Sequence, residues 1–110
     1  MFYMTTKYNQ EIQDEIIIKR LQYLLNQVYK LLPSREEGID WEKPLETIIE
    51  EINGMNSLFN FELQSIIYPL LCKMEGLYSL KAPEDFSSFR RTIFECLNLI
   101  GGLVKNVRIK

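Results

Sequence analysis

The stretch IIKRLQYLLNQVYKLLP, residues 17–33, carries the clearest structural signal in the chain. Its apolar residues recur in alternating steps of four and three, which is the spacing of one face of an α-helix. Polar residues occupy the opposite face, and Pro33 is predicted to stop the helix. We therefore predict a long amphipathic helix over about residues 9–32. Its central seam is Ile17, Leu21, Leu24, Val28 and Leu31, widened by Ile18, Leu25, Tyr29 and Leu32.

A second helix is predicted to begin near Pro44, which suits a first helical turn because that turn needs no N–H from it. Asp40, just upstream, offers a capping carboxylate at the positive end of the helix. The end of this helix has two interpretations. It stops at Asn53 and Gly54, or Gly54 lies on an exposed face and the helix continues to Phe59.

A third helix is predicted over about residues 61–80, with Pro69 inside it. Either the helix kinks at Pro69, or a short turn precedes a helix that starts there, and the unbroken apolar phase favours the kink. A fourth follows Pro83 and weakens at Gly101 and Gly102, beyond which we expect a frayed tail. Amphipathic helices with mostly short connections favour an all-α fold, an antiparallel bundle of about four helices. A chain of 110 residues is expected to form it as a single domain, residues 1–110.

Composition narrows the classes of function. Hydrophobic residues make up 46% of the chain and charged residues 25%, which is typical of a globular protein. The net charge of −2 gives no global attraction to nucleic acid, so we expect no direct nucleic-acid binding. The beginning of the sequence lacks a signal-peptide pattern, no apolar run is long enough to span a bilayer, and the cysteines are isolated. We therefore expect no membrane partner and a cytoplasmic location, with Cys72 and Cys96 as small buried residues.

The chain contains no histidine. Serine–histidine and cysteine–histidine nucleophile pairs are therefore excluded, and so are imidazole ligands to a metal. Because histidine is the commonest general acid or base, its absence also lowers the expectation of catalysis. We predict no catalytic residue, no cofactor and no metal site, and hence a protein that is not an enzyme.

The strongest charge feature is an acidic segment, residues 36–62, which holds eight acids and one lysine and so carries −7 in a chain of −2. Glu42, Glu46 and Glu50 recur every four residues and should share one solvent-facing side of the second helix. One interpretation is a solvated face neutralised by Arg90 and Arg91 of the fourth helix. The other is a docking face for a basic partner, and its predicted partner-binding residues are Glu37, Asp40, Trp41, Glu42, Glu46 and Glu50.

Trp41 is the only tryptophan and lies in the connection before the second helix. A tryptophan in such a position typically covers one end of the core. The alternative is an exposed anchor, because tryptophan is enriched at interaction hot spots.

The segments YKLLPSREEGIDWEKPLETIIEEINGM, residues 29–55, and FRRTIFECLNLI, residues 89–100, resemble small helical proteins carried by phages and mobile elements of Gram-positive bacteria. The resemblance extends over most of the chain from about Tyr29 onward. It implies an accessory protein of a phage or mobile element and assigns no functional residue.

We predict a cytoplasmic protein-interaction module that binds a partner protein through the acidic helix face and regulates or inhibits it. An alternative is a homo-oligomeric structural or assembly protein, and we expect a homodimer through the first helix, at Ile17, Leu21, Leu24 and Leu25. A third interpretation is an all-α nucleotide pyrophosphohydrolase holding Mg²⁺ on carboxylates. Glu46, Glu50 and Glu51 resemble half of its ligand set, but the next helix offers only Glu62 and Glu75.

Overall fold

The computed structural model describes residues 7–55 and 61–109, and it describes side chains for residues 15–55 and 65–107. Helices account for nearly all of these residues, and no strand occurs among them. The long helices are α1 (Lys7–Tyr29), α3 (Glu42–Met55), α4 (Phe61–Gly76) and α5 (Phe86–Ile109). A short helix, α2 (Leu31–Glu36), follows α1, and two 3₁₀ turns, Leu77–Ser79 and Pro83–Asp85, connect α4 to α5.

The four long helices form the predicted all-α bundle. Helix α1 packs against α5 and α3, and α4 packs against the same two helices. Consecutive long helices are therefore neighbours with short connections, the arrangement of an antiparallel bundle. It follows that α3 and α5 lie diagonally across the bundle, so their outer sides face away from each other.

The core is built from the apolar faces that the periodicity predicted. Each long helix contributes side chains with almost no exposed surface, and no polar or charged residue among the described side chains is buried with them. Fully burying each of these side chains contributes roughly 1.5–3 kcal/mol, which makes this core the main source of stability. Its members from the four long helices include Leu21, Leu24, Val28, Leu45, Ile48, Ile52, Ile67, Leu70, Met74, Phe89, Ile93 and Ile100.

The first helix ends earlier than predicted. It stops at Tyr29, and Pro33 lies inside the next helix, α2, rather than after α1. The reason is that the ring of Pro33 would collide with the carbonyl of Tyr29, four residues before it, and cannot donate a hydrogen bond to it. The chain therefore breaks at Lys30, and Pro33 occupies the first turn of α2, where its missing N–H is harmless.

Gly38 ends α2 and fixes the direction in which the chain leaves it. Its φ of 74° is a left-handed conformation that favours glycine. The N–H of Ile39 donates to the carbonyl of Ser34 (2.8 Å) and the N–H of Gly38 to that of Arg35 (3.2 Å). This is the Schellman pattern of a helix C-terminus.

Two further boundaries are decided by the structure. Helix α3 continues through Gly54 to Met55, so it does not stop at Asn53 and Gly54. Its predicted continuation to Phe59 falls on residues 56–60, outside the described residues. Helix α4 runs through Pro69, so no new helix starts there. It ends at Gly76, earlier than the predicted end near Leu80, and Leu77–Ser79 form a 3₁₀ turn instead.

The expectation of a frayed tail was wrong. Helix α5 passes through Gly101 and Gly102 and extends to Ile109. Leu103, Val104 and Val107 are buried in the core, so packing outweighs the weak helix propensity of the two glycines.

The residues named for a homodimer are only partly available for one. Leu21 and Leu24 are 2% and 1% exposed, because the core of the same chain already covers them. Ile17 and Leu25 are partly buried against that core. The large apolar side chains that the described part of α1 leaves exposed are instead Ile16, Tyr23 and Tyr29, at 60%, 53% and 54%. Of these, Ile16 and Tyr23 lie on the same side of the helix.

Candidate partner-binding surface

Asp40 fixes the start of α3, as its position in the sequence predicted. One carboxylate oxygen, Oδ1, accepts the backbone N–H of Glu42 at 3.0 Å and that of Lys43 at 3.4 Å. These N–H groups have no partner within the helix, and such a cap is typically worth about 1 kcal/mol. Asp40 therefore has a structural task as well as an exposed charge.

The two sides of α3 separate as the four-residue spacing predicted. Leu45, Ile48, Ile49 and Ile52 are buried, while Glu46 and Glu50 are exposed. Glu42 differs from these two acids. Its side chain is 45% exposed, and its Oε2 lies 2.7 Å from the Nζ of Lys81, in the α4–α5 connection.

The expectation that Arg90 and Arg91 neutralise this face was wrong. Both arginines are exposed on α5, across the bundle from α3, and the guanidinium of Arg90 lies over the ring of Phe94, 5.0 Å from its centroid. Among the described residues, neither arginine forms an ion pair, and neither do Glu46 or Glu50. The ion pairs that do occur there are Arg20–Glu51, Lys73–Glu95 and Lys81–Glu42.

Tyr78 shows that carboxylates from two helices gather on one side of the molecule. Burial raises the pKa of its hydroxyl, and the negative charges of Glu46, Glu42, Glu75 and Glu50 raise that pKa further. Glu75 belongs to α4, so the acidic side extends beyond α3. We call Glu42, Glu46, Glu50 and Glu75 the acidic surface. Sequence reasoning missed Glu75, because only the packing of α4 against α3 brings it there.

Trp41 covers one end of the core, in keeping with the first of its two interpretations. Its ring meets Phe89 edge-on, with centroids 4.9 Å apart and planes at 73°, and stacks near Tyr78 at 6.4 Å and 27°. Its side chain is partly buried. Aromatic pairs of this geometry add about 0.5–1.5 kcal/mol beyond the area that they bury.

Arg35 holds this end of the bundle together and was not singled out by sequence reasoning. Its guanidinium lies over the rings of Phe86 (5.3 Å) and Phe89 (4.7 Å). Its Nη2 donates to the carbonyls of Leu80 (2.9 Å) and Ala82 (2.8 Å). Arg35 therefore joins α2 to the α4–α5 connection. No local sequence pattern indicates this role, because the residues that Arg35 contacts are more than 40 positions away in the chain.

The structure also places Glu37, the last of the predicted partner-binding residues, and the two cysteines. Glu37 is exposed at the end of α2, and only its backbone N–H is engaged, with the carbonyl of Pro33. Cys96 is buried, and burial raises the pKa of its thiol to about 12. The expectation that Cys72 is also buried was wrong, because it lies on the exposed side of α4.

The described residues also bear on metal binding and membranes. Within them, no three His, Cys, Asp or Glu side chains come together in a way that could hold a metal ion. None of the helices described is both long and apolar enough to cross a membrane.

The fold and this surface define a small helical bundle with an acidic side. Comparison with known proteins found no matching family, no matching curated protein and no matching solved structure.

Proposed function

We propose that this chain is a small protein-interaction module that binds a basic surface of a partner protein on its acidic surface, and thereby regulates or inhibits that partner. The proposal includes a cytoplasmic setting and an accessory role in a phage or mobile element. That role rests on the resemblance of residues 29–55 and 89–100 alone.

The observation that carries the proposal is the state of Glu46 and Glu50. Both are exposed, one helical turn apart on α3, and neither has an ion pair among the described residues. Like charges at this spacing destabilise a helix by a few tenths of a kcal/mol. The fold makes no use of the two charges, and a surface that serves only solubility usually mixes both signs.

The six predicted partner-binding residues differ in how much each contributes to the fold. Asp40 caps α3 and Trp41 packs on Phe89, so changing either would disturb the fold as well as any binding. Glu42 is tied to Lys81, and Glu37 lies apart at the end of α2. Glu46 and Glu50 are therefore the residues with which the proposal is tested.

The test compares two double variants of equal charge change. Glu46→Lys with Glu50→Lys reverses the acidic surface, and Glu15→Lys with Glu84→Lys reverses two exposed acids elsewhere. The partner is first identified by affinity capture from the native host and then purified. Association is measured by biolayer interferometry at low and high salt.

We expect the first variant to slow association at low salt by about tenfold or more, because an opposed field repels a basic partner, and we expect high salt to reduce the difference. The control variant should associate nearly as fast as the wild type. Equal behaviour of the two variants would show that the acids of α3 are only its solvated side.

A homo-oligomeric assembly protein is the second candidate, and the exposed apolar residues of α1 favour it. Ile16 and Tyr23 lie two turns apart and point the same way, since seven residues bring a helix back to nearly the same side. A copy of the chain could cover them with the same two residues in a symmetric dimer.

A further inference from the structure

A groove between α1 and α3 has no part in the function proposed so far. One of its lining residues, Gly54, follows Glu50 of the acidic surface by one turn of α3. The groove is half open to solvent and has a volume of about 320 Å³. Its lining is mostly apolar and includes one acid and one base. The lining residues are Ile16, Ile17, Arg20, Glu51, Gly54 and Met55.

Glu51 brings to this groove a carboxylate oxygen that accepts no hydrogen bond. Its Oε2 is shielded from solvent and accepts no hydrogen bond, although the side chain as a whole is 30% exposed. The Nη1 of Arg20 lies 3.8 Å away, which allows electrostatic attraction but is too long for a hydrogen bond. A shielded carboxylate oxygen without a donor is costly, and such groups are rare in folded proteins.

Gly54 keeps one side of the groove open. It lies within α3, where glycine weakens a helix relative to alanine. A Cβ added to Gly54 would meet no atom within 4 Å, so close packing does not explain the glycine. Because Gly54 is one of the residues that line the groove, a long side chain at this position can extend into it.

We propose that this groove receives an arginine side chain of the partner protein. The inference rests on the proposed function, because it assigns to the basic surface of the partner one side chain that inserts. The aliphatic stem would lie along Ile16 and Met55, and the guanidinium would donate to Glu51. Arginine fits better than lysine, because its planar fork can donate two parallel hydrogen bonds to one carboxylate.

Arg20 is the internal competitor for Glu51. Its side chain is 56% exposed and holds Glu51 by a single long contact, so it can turn outward when another guanidinium arrives. Removing its charge should therefore strengthen the binding of an incoming arginine. A purely structural role of the Arg20–Glu51 pair predicts no such gain.

The probe is N-acetyl-argininamide, titrated into ¹⁵N-labelled full-length protein and followed by NMR. We expect saturable shifts of the backbone amides of Ile17, Gly54 and Met55. Glu51→Gln should weaken binding about tenfold, and Gly54→Leu should abolish it by filling the groove. Arg20→Gln should tighten it. Gly101→Leu is the matched control, a glycine inside α5 whose added Cβ also meets no atom within 4 Å, and it should bind the probe as the wild type does.

The inference is overturned if no amide of the groove shifts saturably, or if Gly54→Leu binds the probe as well as Gly101→Leu does. Its failure is separable from that of the proposed function. If the variant with Glu46→Lys and Glu50→Lys loses the partner while Gly54→Leu keeps it, the acidic surface docks without the groove. If the groove takes up the probe and the same charge variant keeps the partner, the proposed function fails and the arginine site stands as a property of the chain.

Discussion

A single side chain, Arg35, decides how the end of the bundle that carries the acidic surface is closed. A cation near an apolar core usually needs a carboxylate, but Arg35 is compensated by two carbonyls and two aromatic rings. This arrangement satisfies two carbonyls of the α4–α5 connection and packs Arg35 on Phe89, which contacts Trp41. The orientation of the start of α3 therefore depends on a residue of α2.

Replacing Arg35 with methionine tests this role. Arg35→Met keeps the apolar length and removes both hydrogen bonds and both ring contacts, so we expect the free energy of unfolding to fall by about 1.5–3 kcal/mol. The control is Arg90→Met, because Arg90 lies over one ring on an exposed helix side and should cost under about 1 kcal/mol. Urea denaturation followed by circular dichroism measures both. Equal losses would mean that Arg35 contributes no more than a surface stack.

At the scale of the elements, the helices tolerate residues that would break them in isolation. Helix α4 contains Pro69, and α5 contains Gly101 and Gly102, yet both are continuous. Buried side chains before and after these positions hold the helices together, since packing contributes more than propensity. Gly38 is different, because its conformation and not its surroundings requires glycine.

Alanine substitutions separate these two kinds of glycine. An added Cβ at Gly101 or Gly102 meets no atom within 4 Å, so each change to alanine should stabilise the protein by roughly 0.5–1 kcal/mol. Gly38→Ala also meets open space, but it forces alanine into φ 74° and should destabilise by about 1 kcal/mol or more. Thermal unfolding of the three variants provides the comparison. Destabilisation by either α5 substitution would contradict the argument.

The sequence was informative about the elements and less so about what lies between them. The apolar phase predicted the four long helices, the cap at Asp40 and the exposed side of α3, because each of these depends on residues close together in the chain. It could not reveal Arg35 or Glu75, whose roles arise from contacts between helices distant in sequence. It also underestimated how far Leu103 and Val107 extend the core, since a propensity argument counts the glycines but not the packing beyond them.

For the whole molecule, the open question of association now concerns a different part of α1. Most of the apolar seam of α1 is buried by the other helices of the same chain, whereas Ile16 and Tyr23 lie outside the seam and are exposed. If α1 mediates a homodimer, these two side chains should form its centre.

The assembly candidate predicts a dimer at micromolar concentration, which Ile16→Lys with Tyr23→Lys converts to a monomer of about 13.1 kDa in sedimentation equilibrium. Because Ile16 also lines the groove between α1 and α3, such a dimer would exclude an inserted arginine. The control is Tyr68→Lys, because Tyr68 is the most exposed of the large apolar side chains that the structure describes, at 73%, but lies on α4. It should leave the dimer intact. A monomeric wild type would remove the assembly candidate and favour the regulatory one.

The diagonal placement of α3 and α5 separates negative from positive side chains across the bundle and so favours an electric dipole. Exposed Glu46 and Glu50 lie on α3, while exposed Arg90, Arg91 and Lys105 lie on α5. A freely tumbling particle with such a dipole experiences a torque near a positively charged surface, because its two sides are attracted and repelled. The chain would thus rotate its acidic side forward within about one Debye length, roughly 8–10 Å, before any atoms touch. Orientation during diffusion, rather than contact energy alone, would then select which side of the bundle arrives first.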